Sequence, residues 1–262
     1  MKRFLSVFAA ISFLLLSSFS YAQTLTVSAA ASLTNAFNEI GKAFETKHPE
    51  SKIQFNFAAS GVLLQQITQG APVDVFASAD QETMDKAEAQ GVIKAGTRVD
   101  FVGNNLVLIV PTDSKLKFTS LNDLLQADVK HIAIGNPATT PNGRYARAAM
   151  QHAGVWTAIE PRLVLAENVR QSLSYVGRGE VDAGFVFSTD AKQDEGKVNV
   201  ALTIPTVKAG NAEGEWIPSP IVYPAAEVAS TKHKLAPAFI TFLRSPEGQT
   251  ILAKYGFNTI SH

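Results

Sequence analysis

The sequence predicts an α/β protein of two lobes, each a doubly wound, mainly parallel sheet with helices on both faces. Three observations carry this. Short apolar runs alternate with helical stripes along nearly the whole chain, which is how buried parallel strands and their crossover helices read. The alternation restarts once, at Asn104-Asn105, with the run "LVLIVP". About 240 residues remain from Gln23 onward, enough for two modest lobes.

The first 22 residues stand apart. Lys2 and Arg3 form a short basic start, Phe4 to Leu16 is almost unbroken apolar sequence, and Ser20-Tyr21-Ala22 offers small residues before a cut after Ala22. That is the plan of a secretory signal peptide, and the run is too short to span a bilayer comfortably. Residues 1–22 are therefore expected to be removed, leaving an exported, soluble protein.

In the first series, Leu25-Ala29, Ile53-Ala58 and Val73-Ala77 read as strands. Helices are expected from about Ser32 to Lys47, Val62 to Gln69 and Asp80 to Gln90. The first of these places Ala36, Phe37, Ile40, Ala43 and Phe44 on one stripe. The second series contains "HIAIGNP", a helix from about Asn142 to Ala153, "RLVLA", a helix from Asn168 to Arg178, and "DAGFVF". A further strand, "SPIVYPAAEVA", precedes two helices through Phe242 and Tyr255. A late strand and helical tail suggest a chain that leaves one lobe and returns, so lobe one is drawn as residues 24–104 plus 220–262 and lobe two as 105–219. Ligands of doubly wound folds bind at the carboxyl ends of the strands, here in a cleft between the lobes.

Charge argues against nucleic acid and membrane surfaces as partners. Without Lys2 and Arg3 the 23 basic residues fall to 21 against 23 acidic, and no basic cluster stands out. There is no cysteine, so thiolate chemistry and a lipid-anchoring cysteine are both excluded. The five histidines (His48, His131, His152, His233, His262) show no metal-ligand spacing, and neither a P-loop nor a GxSxG elbow is present.

Four strand-to-helix junctions share one character. "AAASLT" places Ser32 at a helix start, "FAASGVLLQQ" places Ser60-Gly61, "NPATTPNGRYARAAM" places Asn142-Gly143 and "LAENVRQSL" places Asn168-Val169. Helix starts present unpaired N–H groups and the positive end of the helix dipole. Taken singly, Ser, Thr and Asn there are ordinarily caps. Recurring in both lobes and facing one cleft, such ends would bind a compact anion without Lys or Arg.

At these residues the chain resembles a known family. "AAASLTNAF", "GAPVDVFASAD", "ENVRQSLSYVGRGEVDAGFVFSTDA" and "FLRSPEGQTILAKYGF" are similar, in matching order, to the periplasmic molybdate-binding proteins of ABC importers, the ModA family. The resemblance implies a type II periplasmic binding protein, a monomer and not an enzyme. It would close on one molybdate or tungstate dianion and deliver it to a membrane permease. It implies no cofactor beyond that ligand and no direct protein–metal bond. By motif, Ser32 and Ser60 are the hydroxyl donors, Ser32 being cap and donor together, and Asn142 and Val169 the backbone donors. The fifth position departs: many members carry tyrosine where "GFVFSTDA" has Phe187. Either affinity is lower, or a neighbour such as Ser188, Thr140 or Asn35 supplies a donor, or the ligand preference is changed.

A site built only of donors suits a fully deprotonated oxyanion. Monohydrogen phosphate brings a proton that needs an acceptor, and an unpaired buried polar group is costly. Sulfate passes that test, so a receptor for sulfate or a small carboxylate is the alternative within binding proteins. A secreted hydrolase on the same scaffold is the alternative from another class. It would need a base beside Ser32 or Ser60.

Overall fold

The computed structural model describes residues 23–205 and 221–260. The expected leader and its cut after Ala22 lie outside the described residues. In chain order the elements are β1 (Gln23–Ala30), α1 (Thr34–Lys47), β2 (Ser51–Ala58), α2 (Ser60–Thr68), β3 (Val75–Ala77), α3 (Gln81–Ala89), β4 (Val99–Asn104), β5 (Leu106–Pro111) and β6 (Ile132–Gly135). There follow α4 (Pro141–His152), α5 (Trp156–Ile159), β7 (Leu163–Ala166), α6 (Val169–Gly177), β8 (Ala183–Phe187), α7 (Ser188–Gln193), β9 (Val198–Thr203), β10 (Ile221–Glu227), α8 (Ala236–Arg244) and α9 (Pro246–Lys254).

These strands form two five-stranded sheets, ordered β2-β1-β3-β10-β4 and β7-β6-β8-β5-β9. The first gathers the opening strands with the late β10, and the second gathers the strands between. In each sheet four strands run one way and the fourth in spatial order runs against them: β10 is antiparallel to β3 and β4, and β5 to β8 and β9. The sheets are therefore mixed rather than wholly parallel. "LVLIVP" is buried along nearly its whole length, as a central strand must be. A continuous apolar run reports burial on both faces and says nothing of direction.

The sequence pattern also passes over β4 and β9. Both are edge strands. β9 is exposed or half-buried at five of its positions, from Asn199 to Thr203, and so lacks the apolar run that marks the inner strands. The edge of β4 is met by the C-terminal segment, where Gly103 and Asn258 exchange backbone hydrogen bonds.

Packing follows the stripes. α1 buries Ala36, Phe37, Ile40, Gly41 and Phe44. Phe37 meets Phe55, Phe101 and Phe239, while Phe44 meets Phe239 and Phe242 edge-on. Burying each such ring contributes about 1.5–3 kcal/mol, so this aromatic cluster fixes α1 and α8 on one sheet. In the second lobe the buried faces of α4 and α6, with Ala146, Ala149, Leu173 and Val176, cover Ile132, Ile134 and Phe185.

Register positions the cleft. β1 and β2 pair in parallel from Gln23↔Ser51 to Ala30↔Ala58, so the two chains leave the sheet level with each other. Ser32 and Ser60 lie equally far beyond that last pair. β6 and β7 end together in the same way at Gly135↔Ala166. The carboxyl ends of both sheets thus face one region, as expected for ligand sites in doubly wound folds.

Candidate functional site

Between these strand ends lies a small cavity lined by Ala30, Ala31, Ser32, Ala58, Ala59, Ser60, Ala79, Thr140, Pro141, Asn142, Asn168, Val169 and Phe187. No lining residue carries a charge. The structure thus brings together Ser32, Ser60, Asn142, Val169 and Phe187, from both sheets, around one small space.

The local roles of these residues differ from those read in the sequence. Neither serine caps its helix. Ser32 lies inside a 3-10 turn, Ala31–Leu33, that leads into α1, and no side chain caps either segment. Ser60 is the first residue of α2, again with no side-chain cap. Ser32 Oγ lies 3.1 Å from Tyr223 Oη, and Ser60 Oγ accepts a hydrogen bond from Ala79 N–H at 3.0 Å. Because that bond uses only a lone pair, the Ser60 hydroxyl keeps its proton for another acceptor.

The caps sit beside the serines' counterparts in the second lobe. Thr140 caps α4 by accepting from Gly143 N–H, and its hydroxyl donates to the Asn136 carbonyl. Asn168 caps α6 by accepting from the N–H groups of Arg170 and Gln171. The N–H groups of Asn142 and Val169 fall in these first turns, where the helix itself supplies no acceptor. Asn142 is inside α4, second after Pro141, rather than ahead of the helix, and its side chain donates to the Phe185 carbonyl. Gly143 permits this geometry, since a Cβ there would collide with the Gly135 carbonyl.

Phe187 is buried, with Tyr145 and Tyr223 edge-on to its ring at 6.2 and 5.8 Å between centroids. The neighbours considered as replacement donors do not take that part. Thr140 lines the cavity but its hydroxyl is committed, Ser188 donates to Asn104 Oδ1 at 2.9 Å, and Asn35 does not line the cavity. Tyr223, in "IVYPAAE", is instead the phenol that meets Ser32.

Contacts across the cleft close the site. Gly61 N–H at the start of α2 donates to the Thr139 carbonyl at 2.9 Å. Arg144 on α4 reaches the buried Asp80, the N-cap of α3, with Nε at 2.8 Å and Nη2 at 2.6 Å from Oδ2, and Nη2 also donates to Thr83 Oγ1. Arg170 Nη2 approaches the Ser32 carbonyl at 3.4 Å, while its Nε lies 2.6 Å from Asp190 Oδ1. Complete burial raises the Asp190 carboxyl to about 6, with the Arg170 guanidinium pulling the other way. These arginines are engaged by carboxylates behind the cavity wall, so the lining stays uncharged. Among the described residues, no group of His, Cys, Asp and Glu could hold a metal ion, and no helix is long and apolar enough to cross a membrane.

Residues 25–258 match the model of the bacterial extracellular solute-binding proteins. The chain belongs to this family. Among its relatives, the protein YvgL of Bacillus subtilis is 40% identical, over 89% of this chain and 86% of that one. The molybdate-binding protein ModA of Escherichia coli is 36% identical over 89% of this chain and 88% of its own length. The solved structure of the periplasmic molybdate-binding protein of Azotobacter vinelandii superposes with a TM-score of 0.73 at 25% identity, covering 90% of this chain and all of that one. The family is one of solute-binding proteins, which bind a solute for transport rather than transform it.

Proposed function

We propose that this solute-binding protein captures one molybdate or tungstate dianion outside the cytoplasmic membrane and hands it to the permease of an ABC importer. The observation that carries the proposal is convergence. Five positions matched by motif to molybdate-binding proteins, scattered from Ser32 to Phe187, line one uncharged cavity. Ser32 and Ser60 would donate from their hydroxyls, and Asn142 and Val169 from backbone N–H at helix starts, where the dipole favours an anion. Relatives named for molybdate support the choice of ion. The lack of a charged lining residue favours a ligand held by many short donors.

Calorimetric titration of the mature protein with molybdate, tungstate, sulfate and phosphate tests this directly. One site per chain is expected for molybdate and tungstate. Tight sulfate binding with no heat from either larger ion would overturn the assignment.

The departure at Phe187 gives a second expected outcome. Its ring is buried, with Tyr145 and Tyr223 packed against it, and adding atoms to a packed position costs about 1–3 kcal/mol. Phe187→Tyr should therefore leave molybdate affinity level or lower it. A tenfold gain would mean that the site lacks a donor.

A further inference from the structure

The Asn104 amide makes every hydrogen bond open to it. Its Nδ2 donates to Thr189 Oγ1 at 2.9 Å and to Tyr223 Oη at 3.1 Å, and its Oδ1 accepts from Ser188 Oγ and from Asn105 N–H, each at 2.9 Å. Two donors and two lone pairs are thereby used. Asn104 is buried at the end of β4, where the chain passes from the first sheet to the second. Its partners come from that crossover, from the start of α7 and from β10, so the amide cannot turn without breaking bonds to several elements.

Tyr223 extends this fixed point towards the cavity. Its side chain is fully buried, against Phe101, Phe187 and Phe257. An amide nitrogen can only donate, so Tyr223 Oη accepts from Asn104. The phenol has one proton, and among the described residues its one other partner is Ser32 Oγ. Were Ser32 to donate to Tyr223, the phenol proton would have no acceptor in a dry interior, which is costly. Tyr223 therefore donates to Ser32, and the Ser32 proton is left for the cavity that this residue lines.

We infer that Tyr223, oriented by Asn104, is a positioning residue that makes Ser32 a donor towards the bound anion. The order Asn104 N–H, Tyr223 O–H, Ser32 O–H runs one way, and each bond polarises the next. Burial, with the Asp190 carboxylate adding to it, holds the Tyr223 phenol well above its ordinary range. The phenol thus stays protonated and able to donate at neutral pH. This inference rests on the proposed function only for the identity of the anion.

The test is a double-mutant cycle on wild type, Ser32→Ala, Tyr223→Phe and the double variant, titrated with whichever of molybdate, tungstate and sulfate the wild type binds. Tyr223→Phe keeps the ring packing and should weaken binding about five- to tenfold, the scale of one hydrogen bond. The double variant should bind no more weakly than Ser32→Ala alone. Unchanged affinity in Tyr223→Phe, or losses that add, would overturn the inference, because packing alone would act independently of Ser32. A second readout needs no ligand. With tyrosine labelled at 13Cζ, Ser32→Ala should shift the resonance that Tyr223→Phe removes, and no shift would overturn the relay. If the wild type binds none of the three anions, the proposed function fails and the resonance arm still decides the relay.

Discussion

Ser32→Ala and Ser60→Ala should each weaken molybdate binding by about 1.5–3 kcal/mol, roughly 10- to 150-fold, the range for hydrogen bonds to charged groups. The two serines are not equivalent in what else they hold. Removing the Ser60 hydroxyl strands the buried Ala79 N–H that it accepts from, so the unliganded protein should also lose about 1–3 kcal/mol. Ser32→Ala removes a partner of Tyr223, with a stability cost of the same order. Neither loss is that of a helix cap, because neither serine caps. Calorimetry for affinity and denaturant titration for stability separate the two effects. Unchanged affinity in both variants would leave these hydroxyls as structural groups only.

Gly61→Ala should weaken binding while leaving the unliganded protein as stable or more so. A Cβ at Gly61 would stand 2.7 Å from the Thr139 carbonyl oxygen and 3.0 Å from its Cα, and both neighbours are backbone. The clash exists only where α2 meets the 136–140 loop across the cleft. Overpacking of this kind costs about 1–3 kcal/mol, or roughly 5- to 150-fold in affinity if closure must bear it. In an opened chain alanine is the better helix residue by up to about 1 kcal/mol. Small-angle scattering should show wild type becoming more compact with saturating molybdate, and Gly61→Ala doing so only at higher concentration. Equal affinity in the two proteins would mean that closure does not bring Gly61 against Thr139.

The opposite signs of these effects bear on what could be read beforehand. In the sequence Gly61 stands beside Ser60 at a helix start, with no sign of what it meets. In the structure it lets one lobe approach the other. Its N–H is used by Thr139 and is not free for an anion. The same limit applies to the caps. Ser, Thr and Asn at helix starts look alike in a sequence, but Thr140 and Asn168 cap while Ser32 and Ser60 do not.

The sequence by itself determined the alternation of strands and helices, their division into two series at Asn104-Asn105, and the small, donor-bearing residues at the junctions. These are local properties. Side-chain periodicity and helix-start chemistry are written within a few neighbouring residues. Only the tertiary structure decided the direction of β5 and β10, the level exit of β1 and β2 that sets Ser32 beside Ser60, and the contacts that seal the cleft. It also decided that Ser32 meets Tyr223, 191 residues away. Such a pairing has no local signal, because a buried hydroxyl takes whichever partner long-range packing brings within about 3 Å of it.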